Sequence, residues 1–336
     1  MPGILIKGGV VADGDGGEPY LADVRIAGDR IAAVGPGLAP RDGEQVIDAS
    51  GLLVTPGFVD LHTHYDGQIT WDSELAPSSW HGVTTVIVGN CGVGFAPVRP
   101  GEQDRLIELM EGVEDIPGTA LHEGITWGWE SFGDYLDVLA KRQWTVDVGT
   151  QVPHAAVRAY VMGETAGSEY ASGDQIAEMR AIVREGLKAG ALGVSTTRML
   201  AHRSVKQEIV PGTFAPEEEL TALADELAEH GSGVFEVVPR GMDGEVSEEA
   251  HAEFDWMERV AGRSGRPVLF SLVQTHTEPD RWKLFLDRSG EAQARGVPIH
   301  PVVSCRPTGV VFGLQSRFTP FSTRKAYQAL EHLPHD

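Results

Sequence analysis

From residue 57 onward, short apolar runs alternate with longer stretches of helical periodicity, and this alternation restricts the fold more than any other feature. Strands that alternate with helices form βα units, whose strands lie parallel in a sheet. Apolar runs typical of buried strands occupy residues 57–61, 84–88, 145–148, 191–195, 233–238, 267–272 and 297–300. Helical stretches occupy residues 174–189, 216–230, 248–262 and 282–295. The sequence therefore predicts an α/β fold built on parallel strands.

Seven strands can be identified in this way, one fewer than the eight of a closed (β/α) barrel. Beyond Cys305 the sequence indicates loop and one helical stretch near residues 322–333. We therefore predict a TIM-like (β/α) barrel over residues 54–336 that lacks its eighth strand and is incomplete at the C-terminus. Such a barrel would expose two sheet edges and an apolar interior, so we expect the chain to form homo-oligomers or to aggregate.

The first 53 residues have a different pattern, with short strands that are not separated by helices. Candidate strands occupy residues 4–6, 22–26, 31–34 and 45–48, and the turn at 28–30 indicates a hairpin. We predict a small β-sheet domain over residues 1–53 in front of the barrel. A length of 336 residues is sufficient for both units.

The acidic composition excludes several classes of partner. The sequence has 27 Lys and Arg against 49 Asp and Glu, a net charge of −22, which argues against nucleic acid and anionic membranes. No stretch approaches the ~20 consecutive apolar residues of a membrane span. Cys91 and Cys305 are too few for a disulfide framework. The N-terminus lacks a basic region followed by an apolar one, so we expect no signal peptide and a cytoplasmic location.

The strongest chemical signal is the segment HTH at residues 62–64, which follows an apolar strand. Residues two apart in a strand point the same way, so His62 and His64 would present both imidazoles on one face. At the C-terminal end of a barrel strand that face opens into the active site, and two imidazoles suit a metal such as Zn²⁺. A solvated or core pair of histidines is the alternative. The position directly after the apolar strand favours the metal.

Cys91 lies in the segment GNCGVG at residues 89–94, at the end of the next strand. A thiolate at this place could join the two histidines around a metal, because Zn²⁺ accepts sulfur and nitrogen ligands. A buried structural cysteine is one alternative. A nucleophilic thiol is another, although no obvious base accompanies it. The proximity of His62 and His64 on the neighbouring strand favours the ligand.

These residues also carry a resemblance to a known family. The segment PGFVDLHTH at residues 56–64 resembles the first-strand motif of the amidohydrolase superfamily. Several segments resemble its N-acyl-D-amino-acid deacylase (D-aminoacylase) branch: GVTT at 82–85, GNCG at 89–92, EGVEDIP at 111–117, WGWE at 127–130, and VPH at 152–154 with Arg158. The resemblance extends over essentially the whole chain.

The resemblance implies a (β/α)₈ barrel with a small β domain, and hydrolysis of an amide by a metal-activated water. In that branch strand one supplies the H-x-H pair, strand two a cysteine, and strands five and six one histidine each, while a strand-eight aspartate is the general base. By position, His62, His64 and Cys91 correspond to metal ligands. The implied cofactor is a divalent metal, and Zn²⁺ is the preferred candidate. The implied partner is a small-molecule N-acyl amino acid.

The sequence departs from the family pattern at two strands. Val238 stands where the strand-five histidine is expected, and Leu272 stands where the strand-six histidine is expected. Neither side chain can bind a metal, and the nearest substitutes are Glu236 and His276. The strand-eight aspartate has no counterpart, so the sequence assigns no catalytic general base.

Two further residues are candidates for substrate binding. His154 follows the third strand and could hydrogen-bond a substrate carbonyl or carboxylate, whereas a structural hydrogen bond is its alternative. Arg198 follows the fourth strand and could pair with a substrate carboxylate, whereas an internal salt bridge is its alternative. The acidic residues Glu111, Glu114 and Asp115 are interpreted as a solvated face.

The sequence thus predicts a metal-dependent hydrolase of a non-peptide amide C–N bond, most similar to N-acyl-D-amino-acid deacylases. A cyclic amidase of the hydantoinase or dihydroorotase kind is an alternative, because it would use the same first-strand motif. Cys91 and the glycines around it favour the deacylase. A third hypothesis, from another class, is a truncated chain without catalysis.

Overall fold

The computed structural model describes residues 3–241, 247–275 and 278–304, and beyond them residues 313, 319, 321–322, 324–330 and 332–333. Its strands in these ranges belong to three sheets. One sheet is confined to the first 54 residues, and the other two contain only parallel strands.

The N-terminal sheet is built around its first strand. Its members are β1 (Ile4–Val11), β2 (Tyr20–Ala27), β3 (Arg30–Gly35), β4 (Gln45–Asp48) and β5 (Leu53–Val54). Strand β1 pairs antiparallel with β2 and parallel with β4 and β5. Strands β2 and β3 form the hairpin that the sequence predicts, with Gly28 at a φ of +63° in the turn. Val11, Ala22 and Val24 form a hydrophobic cluster separate from the main core.

The remaining strands follow one another in chain order through the two parallel sheets. The first sheet contains β6 (Phe58–Asp60), β7 (Val83–Val88) and β8 (Asp147–Thr150). The second contains β9 (Val152–Pro153), β10 (Gly193–Thr197), β11 (Val234–Val238), β12 (Val268–Ser271) and β13 (Ile299–Val302). Only Gln151 separates β8 from β9, so the second sheet begins where the first one ends.

Nine α-helices occupy the described ranges between and after these strands. They are α1 (Gln103–Glu114), α2 (Gly118–Gly124), α3 (Phe132–Leu139), α4 (His154–Met162), α5 (Gly173–Ala189), α6 (Glu217–His230), α7 (Ala250–Ser264), α8 (Arg281–Ala294) and α9 (Lys325–Gln328). Helix α5 begins with a capping box between Ser172 and Gln175 and ends at Gly190, whose φ is +119°. Helix α6 follows Pro216 with three acidic residues in its first turn, as the sequence indicates. No helix in these ranges is long and apolar enough to cross a membrane.

The predicted α/β class with parallel sheets is confirmed. Each of the seven predicted apolar runs overlaps a strand of the two parallel sheets, and each of the four predicted helical stretches overlaps a helix. The number of barrel strands in this chain stays a prediction. The separate domain over residues 1–53 stays a prediction as well.

Parallel pairing places the start of the candidate site. Asp60 at the end of β6 lies opposite Val86 in β7, so the chain leaves both strands at the same edge of the sheet. Val86 and Val88 of β7 are fully buried in the main core, which also contains the buried side chains of β10, β11 and β12. The loops at this edge therefore stand on a rigid, closely packed support.

Candidate metal centre

The two predicted histidines lie immediately after β6 and share one side of the chain. His62 and His64 face each other with ring centroids 5.3 Å apart. Thr63, between them, points away and donates its hydroxyl to the carbonyl oxygen of Ile87 at 2.7 Å. The two-residue period of an extended chain therefore places both imidazoles on one face, as the sequence predicts.

Cys91 brings a sulfur atom to the same place from the end of β7. Its Sγ lies 3.1 Å from Nε2 of His62 and 3.5 Å from Nε2 of His64. One ligand atom from each of the three residues falls within 4.8 Å of the other two. The structure thus brings together the three residues that the sequence proposed as metal ligands.

The loop that presents Cys91 is held by its own backbone amides. Gly89 donates to Oδ1 of Asp66 at 2.7 Å, and Cys91 donates to Oε2 of Glu236 at 3.1 Å. Gly92 donates to Oγ of Ser195 at 3.0 Å. Cys91 itself has a φ of +55°. Three side chains from three different segments therefore fix an uncommon backbone conformation that aims Sγ at the histidines.

Three acidic side chains surround this cluster. Oε1 of Glu236 lies 3.6 Å from Nδ1 of His62, and Oδ2 of Asp66 lies 3.8 Å from Nδ1 of His64. Oε1 of Glu114, at the end of α1, lies 3.3 Å from Nε2 of His64. The interpretation of Glu114 as part of a solvated face is wrong, because its side chain is mostly buried against the site. The sequence signal that could have identified Glu114 is its place in the EGVEDIP segment, which resembles the deacylase branch.

Burial dominates the electrostatics of the cluster. It raises the pKa of Asp66 to about 7 and the pKa of both Glu114 and Glu236 to about 8. It also raises the pKa of the Cys91 thiol well above its usual range, and lowers the pKa of His64 well below its own. Buried acids and a buried thiol in one place favour a cation, because only an opposite charge offsets the cost of ionising them.

The donor set fits a transition metal. Zinc binds sulfur at about 2.3 Å and imidazole nitrogen at about 2.0–2.1 Å, which places the two ligand atoms of a tetrahedron about 3.5 Å apart. The observed separations from Sγ are 3.1 and 3.5 Å. Nδ1 of His64, Oδ2 of Asp66 and Oε1 of Glu236 are buried without a hydrogen-bond partner in the described residues. Two imidazole nitrogen atoms and one cysteine sulfur atom therefore suit Zn²⁺ as ligands. The three buried polar atoms without a hydrogen-bond partner lie around this group.

The two departures from the family pattern are visible in the structure. Val238 and Leu272 are buried apolar side chains and offer no ligand atom. Glu236 approaches the far side of the His62 ring and is not a member of the three-residue donor group. His276 lies outside the described residues.

A comparison with known families decides the wider assignment. The model of the family described as "Amidohydrolase family" matches residues 45–308, which include both histidines and the cysteine. The chain belongs to the amidohydrolase family.

Named relatives of this amidohydrolase family member include several deacylases. D-aminoacylase of Alcaligenes xylosoxydans xylosoxydans is 33% identical over 232 residues, 69% of this chain and 43% of the relative. N-acyl-D-aspartate deacylase of the same organism is 32% identical over 231 residues, 69% of this chain and 42% of the relative. The chain therefore spans less than half of the length of the curated relatives that it matches.

Solved structures of deacylases are also similar to this chain. A structure from a study of the binuclear metal centre in D-aminoacylase matches with a TM-score of 0.71 at 30% identity, covering 89% of this chain and 58% of the other. N-acyl-D-glutamate deacylase from Bordetella bronchiseptica, complexed with zinc and a phosphonate inhibitor, matches with a TM-score of 0.68 at 26% identity, covering 89% and 57%. An L-hydantoinase from Arthrobacter aurescens matches at 15% identity with a TM-score of 0.51, which shows the fold alone.

In this amidohydrolase family member, His154 lies in the interior. Its Nδ1 pairs with the hydroxyl of Thr196 at 2.9 Å, and its Nε2 pairs with Oε1 of Glu219 at 2.8 Å. Nη1 of Arg158 donates to both oxygens of Glu219 at 2.5 Å. Protein groups occupy both ring nitrogens of His154, so its proposed contact with a substrate stays a prediction.

Arg198 also has an internal partner. Its Nε donates to both carboxylate oxygens of Glu253 at 2.9 Å, and its Nη1 donates to the carbonyl oxygen of Ala215 at 2.7 Å. The structure thus shows the internal salt bridge that was the alternative for this residue. Binding of a substrate carboxylate by Arg198 stays a prediction.

The buried partners of His154 predict a dependence of stability on pH. Burial acts to raise the pKa of Glu219, but hydrogen bonds and charge from His154 and Arg158 outweigh it and lower the pKa from 4.5 to about 2. A carboxyl group with a lowered pKa stabilises the fold above its unfolded pKa, and this contribution is lost as the pH falls towards the folded value. We expect Glu219 to account for a loss of about 2 kcal/mol between pH 5 and pH 3.

The measurement is the free energy of unfolding in urea at each pH, for the wild type and for Glu219→Gln. The glutamine variant has no proton to bind at this position, so its stability should fall less between pH 5 and pH 3. Equal losses in the two proteins would contradict the lowered pKa.

Proposed function

We propose that this chain carries the metal-binding part of a hydrolase that cleaves a non-peptide amide C–N bond, with N-acyl-D-amino acids as the substrate class. The observation that carries the proposal is the convergence of His62, His64 and Cys91, whose donor atoms lie within 4.8 Å of one another. The similarity to D-aminoacylase, with 30% identity over 89% of this chain in the structural comparison, supports the same reaction class.

Nε2 of His62, Nε2 of His64 and Sγ of Cys91 would hold the metal, and Zn²⁺ suits this set best. A metal held by these three residues would supply polarisation of the substrate carbonyl and activation of a water, whose pKa zinc can lower to ~7. The protein's own contribution is rigid placement of the three donors. The backbone of the cysteine loop is tied to Asp66, Glu236 and Ser195, so Sγ approaches the two rings from a fixed direction.

The proposed function also implies an architecture for the two parts of the chain. We propose that the strands from β6 to β13 form a (β/α) barrel over residues 54–336, and that residues 1–53 form a small β domain. The separate hydrophobic cluster of Val11, Ala22 and Val24 supports the division. Chain order and parallel pairing from β6 to β13 support the barrel.

We favour the deacylase over a cyclic amidase. The likeness to D-aminoacylase has a TM-score of 0.71 at 30% identity, against 0.51 at 15% for the hydantoinase. Cys91 supports the same choice, because its Sγ is the donor that both histidines approach.

The proposal can be tested by elemental analysis of purified, size-selected protein that has never been exposed to a chelator. We expect a stoichiometric transition metal, with zinc in the largest amount. The same preparation should hydrolyse N-acyl-D-amino acids faster than their L-enantiomers and faster than hydantoins. A folded protein without metal would contradict the proposed site, and preferential hydrolysis of hydantoins would favour the cyclic amidase.

A further inference from the structure

We propose that Asn90 is a positioning residue that holds the HTH segment at residues 62–64 at a fixed distance from Cys91, and that Gln151 fixes the orientation of the Asn90 amide. The inference rests on the proposed metal site and deepens it. It concerns hydrogen bonds of uncharged amide groups, which are not members of the donor set.

Strand pairing alone does not hold the two donor segments together. The last paired residues of β6 and β7 are Asp60 and Val86, and the three donors follow them in the chain. Beyond this pair, the backbone amide of Thr63 donates to the carbonyl oxygen of Ile87 at 3.1 Å. This hydrogen bond connects the HTH segment to β7, but it does not connect it to the loop that carries Cys91.

The side chain of Asn90 supplies the second connection. Its Nδ2 donates to the carbonyl oxygen of Thr63 at 3.1 Å and to that of Ile87 at 2.9 Å. Thr63 lies between the two ligand histidines, and Asn90 directly precedes Cys91. Asn90 is fully buried, so a shift of either segment would leave a buried polar group without its partner. One side chain thus fixes the two donor segments relative to each other.

The orientation of the Asn90 amide follows from its partners. A carbonyl oxygen can only accept a hydrogen bond, so the NH₂ group of Asn90 must face the carbonyl oxygens of Thr63 and Ile87. Oδ1 of Asn90 therefore points the other way, where it accepts Nε2 of Gln151 at 2.8 Å. A rotation of the Asn90 amide by half a turn would place acceptor against acceptor on one side and donor against donor on the other.

Gln151 is held close to the same loop. Its backbone amide donates to the carbonyl oxygen of Val88 at 3.0 Å. Gly89 has a φ of +76°, and a Cβ at this residue would overlap the carbonyl oxygen of Gln151. Because Nε2 of Gln151 faces Asn90, its Oε1 is turned away, and this oxygen is buried without a hydrogen-bond partner among the described residues. An unpaired buried oxygen is unfavourable for stability, which supports a role for Gln151 in orienting Asn90.

Asn90→Leu removes both donated hydrogen bonds and keeps a side chain of similar shape. Sγ of Cys91 would then no longer be held at 3.1 and 3.5 Å from the two imidazoles. We expect the Zn²⁺ affinity, measured by competition with a chromophoric chelator, to fall about 10–100-fold, as for other groups that orient ligands. In the Co²⁺-substituted protein, the sulfur-to-cobalt charge-transfer absorption should be weaker than in the wild type.

Gln151→Met is the milder variant, and it separates positioning from stability. It leaves Oδ1 of Asn90 unpaired but removes the unpaired Oε1 of Gln151, so the free energy of unfolding in urea should change little. The Zn²⁺ affinity should still fall about 5-fold, the equivalent of one neutral hydrogen bond. A residue with a merely structural role would not lower the metal affinity at unchanged stability.

Ser289→Ala is the matched control. Ser289 is 1% exposed, and its hydroxyl donates to the carbonyl oxygen of Phe285 at 2.7 Å. The variant therefore also removes a buried hydrogen bond to a backbone carbonyl oxygen, but in helix α8, which carries none of the three donors. It should keep the Zn²⁺ affinity and the cobalt spectrum of the wild type.

Hydrogen exchange of the Asn90 side-chain amide, followed by NMR of purified wild type with ¹⁵N-labelled asparagine, tests the hydrogen bonds without any variant. We expect slow exchange, and rapid exchange would overturn the inference. Wild-type Zn²⁺ affinity in a folded Asn90→Leu protein, or an equal loss in Ser289→Ala, would overturn it as well. A wild type that shows slow exchange at Asn90 but binds no Zn²⁺ would support these hydrogen bonds and contradict the metal site.

Discussion

Cys91→Ala is expected to remove the metal from the protein and to abolish the proposed deacylase activity, while the fold is retained. Sγ of Cys91 is the atom that both histidines approach. Its loss leaves only the two imidazoles of His62 and His64, without the third donor. Loss of an outer partner of a ligand already costs 10–100-fold in metal affinity, so we expect more than about 100-fold for the ligand itself.

The fold should survive because the change is small. Alanine keeps the Cβ of Cys91, so the cost of the φ of +55° is the same in both proteins. Metal content after size-exclusion chromatography is the measurement, with circular dichroism as the check on folding. Thr63→Val is the matched control, since Thr63 lies between the two histidines but points away from the site. Full metal content and activity in Cys91→Ala would show that the thiol is a structural cysteine.

Arg158→Met is expected to lower the free energy of unfolding by about 3–5 kcal/mol at neutral pH, because it leaves a buried carboxylate without its cation. Glu219 is fully buried, and Arg158 contacts both of its oxygens. The same guanidinium group donates to the carbonyl oxygens of Ala166 and Glu169. Methionine fills much of the space but replaces none of these hydrogen bonds.

Urea denaturation measures this effect, and the chain offers a surface pair for comparison. Arg263 pairs with Asp225 at 2.7 Å, but the Arg263 side chain is 65% exposed. Arg263→Met should cost less than about 1 kcal/mol. The double variant Arg158→Met/Glu219→Gln should recover part of the loss, because the unpaired charge is gone. Similar losses in Arg158→Met and Arg263→Met would contradict the proposed importance of burial.

The class of fold could be predicted because it depends on local patterns. Parallel strands are buried on both faces, so they are nearly continuous apolar runs that can be found without knowledge of their partners. Helix α6 (Glu217–His230) was predicted within one residue, because Pro216 and the acids after it mark its start. The break at Gln151, where the chain leaves β8 in one sheet and enters β9 in the other, has no comparable local signal.

The candidate site could be predicted only as far as its local part. The H-x-H period places His62 and His64 on one face from sequence alone. The contacts of Glu236, His154 and Arg198 depend on partners 145, 65 and 55 residues away, which no spacing rule identifies. For the same reason the sequence could name an internal partner as an alternative for His154 and Arg198, but not decide for it.

The separation of the site into a local and a distant part has a consequence for folding. The three donors lie within a segment of 30 residues, whereas the contact between Cys91 and Glu236 closes a loop of 145 residues. Closing a loop five times longer than the 29 residues between His62 and Cys91 costs about 1.4 kcal/mol more in chain entropy. A partly folded chain can therefore assemble the thiol and imidazoles before Glu236 arrives. A metal that binds such a chain stabilises the native state only by the difference between its two affinities.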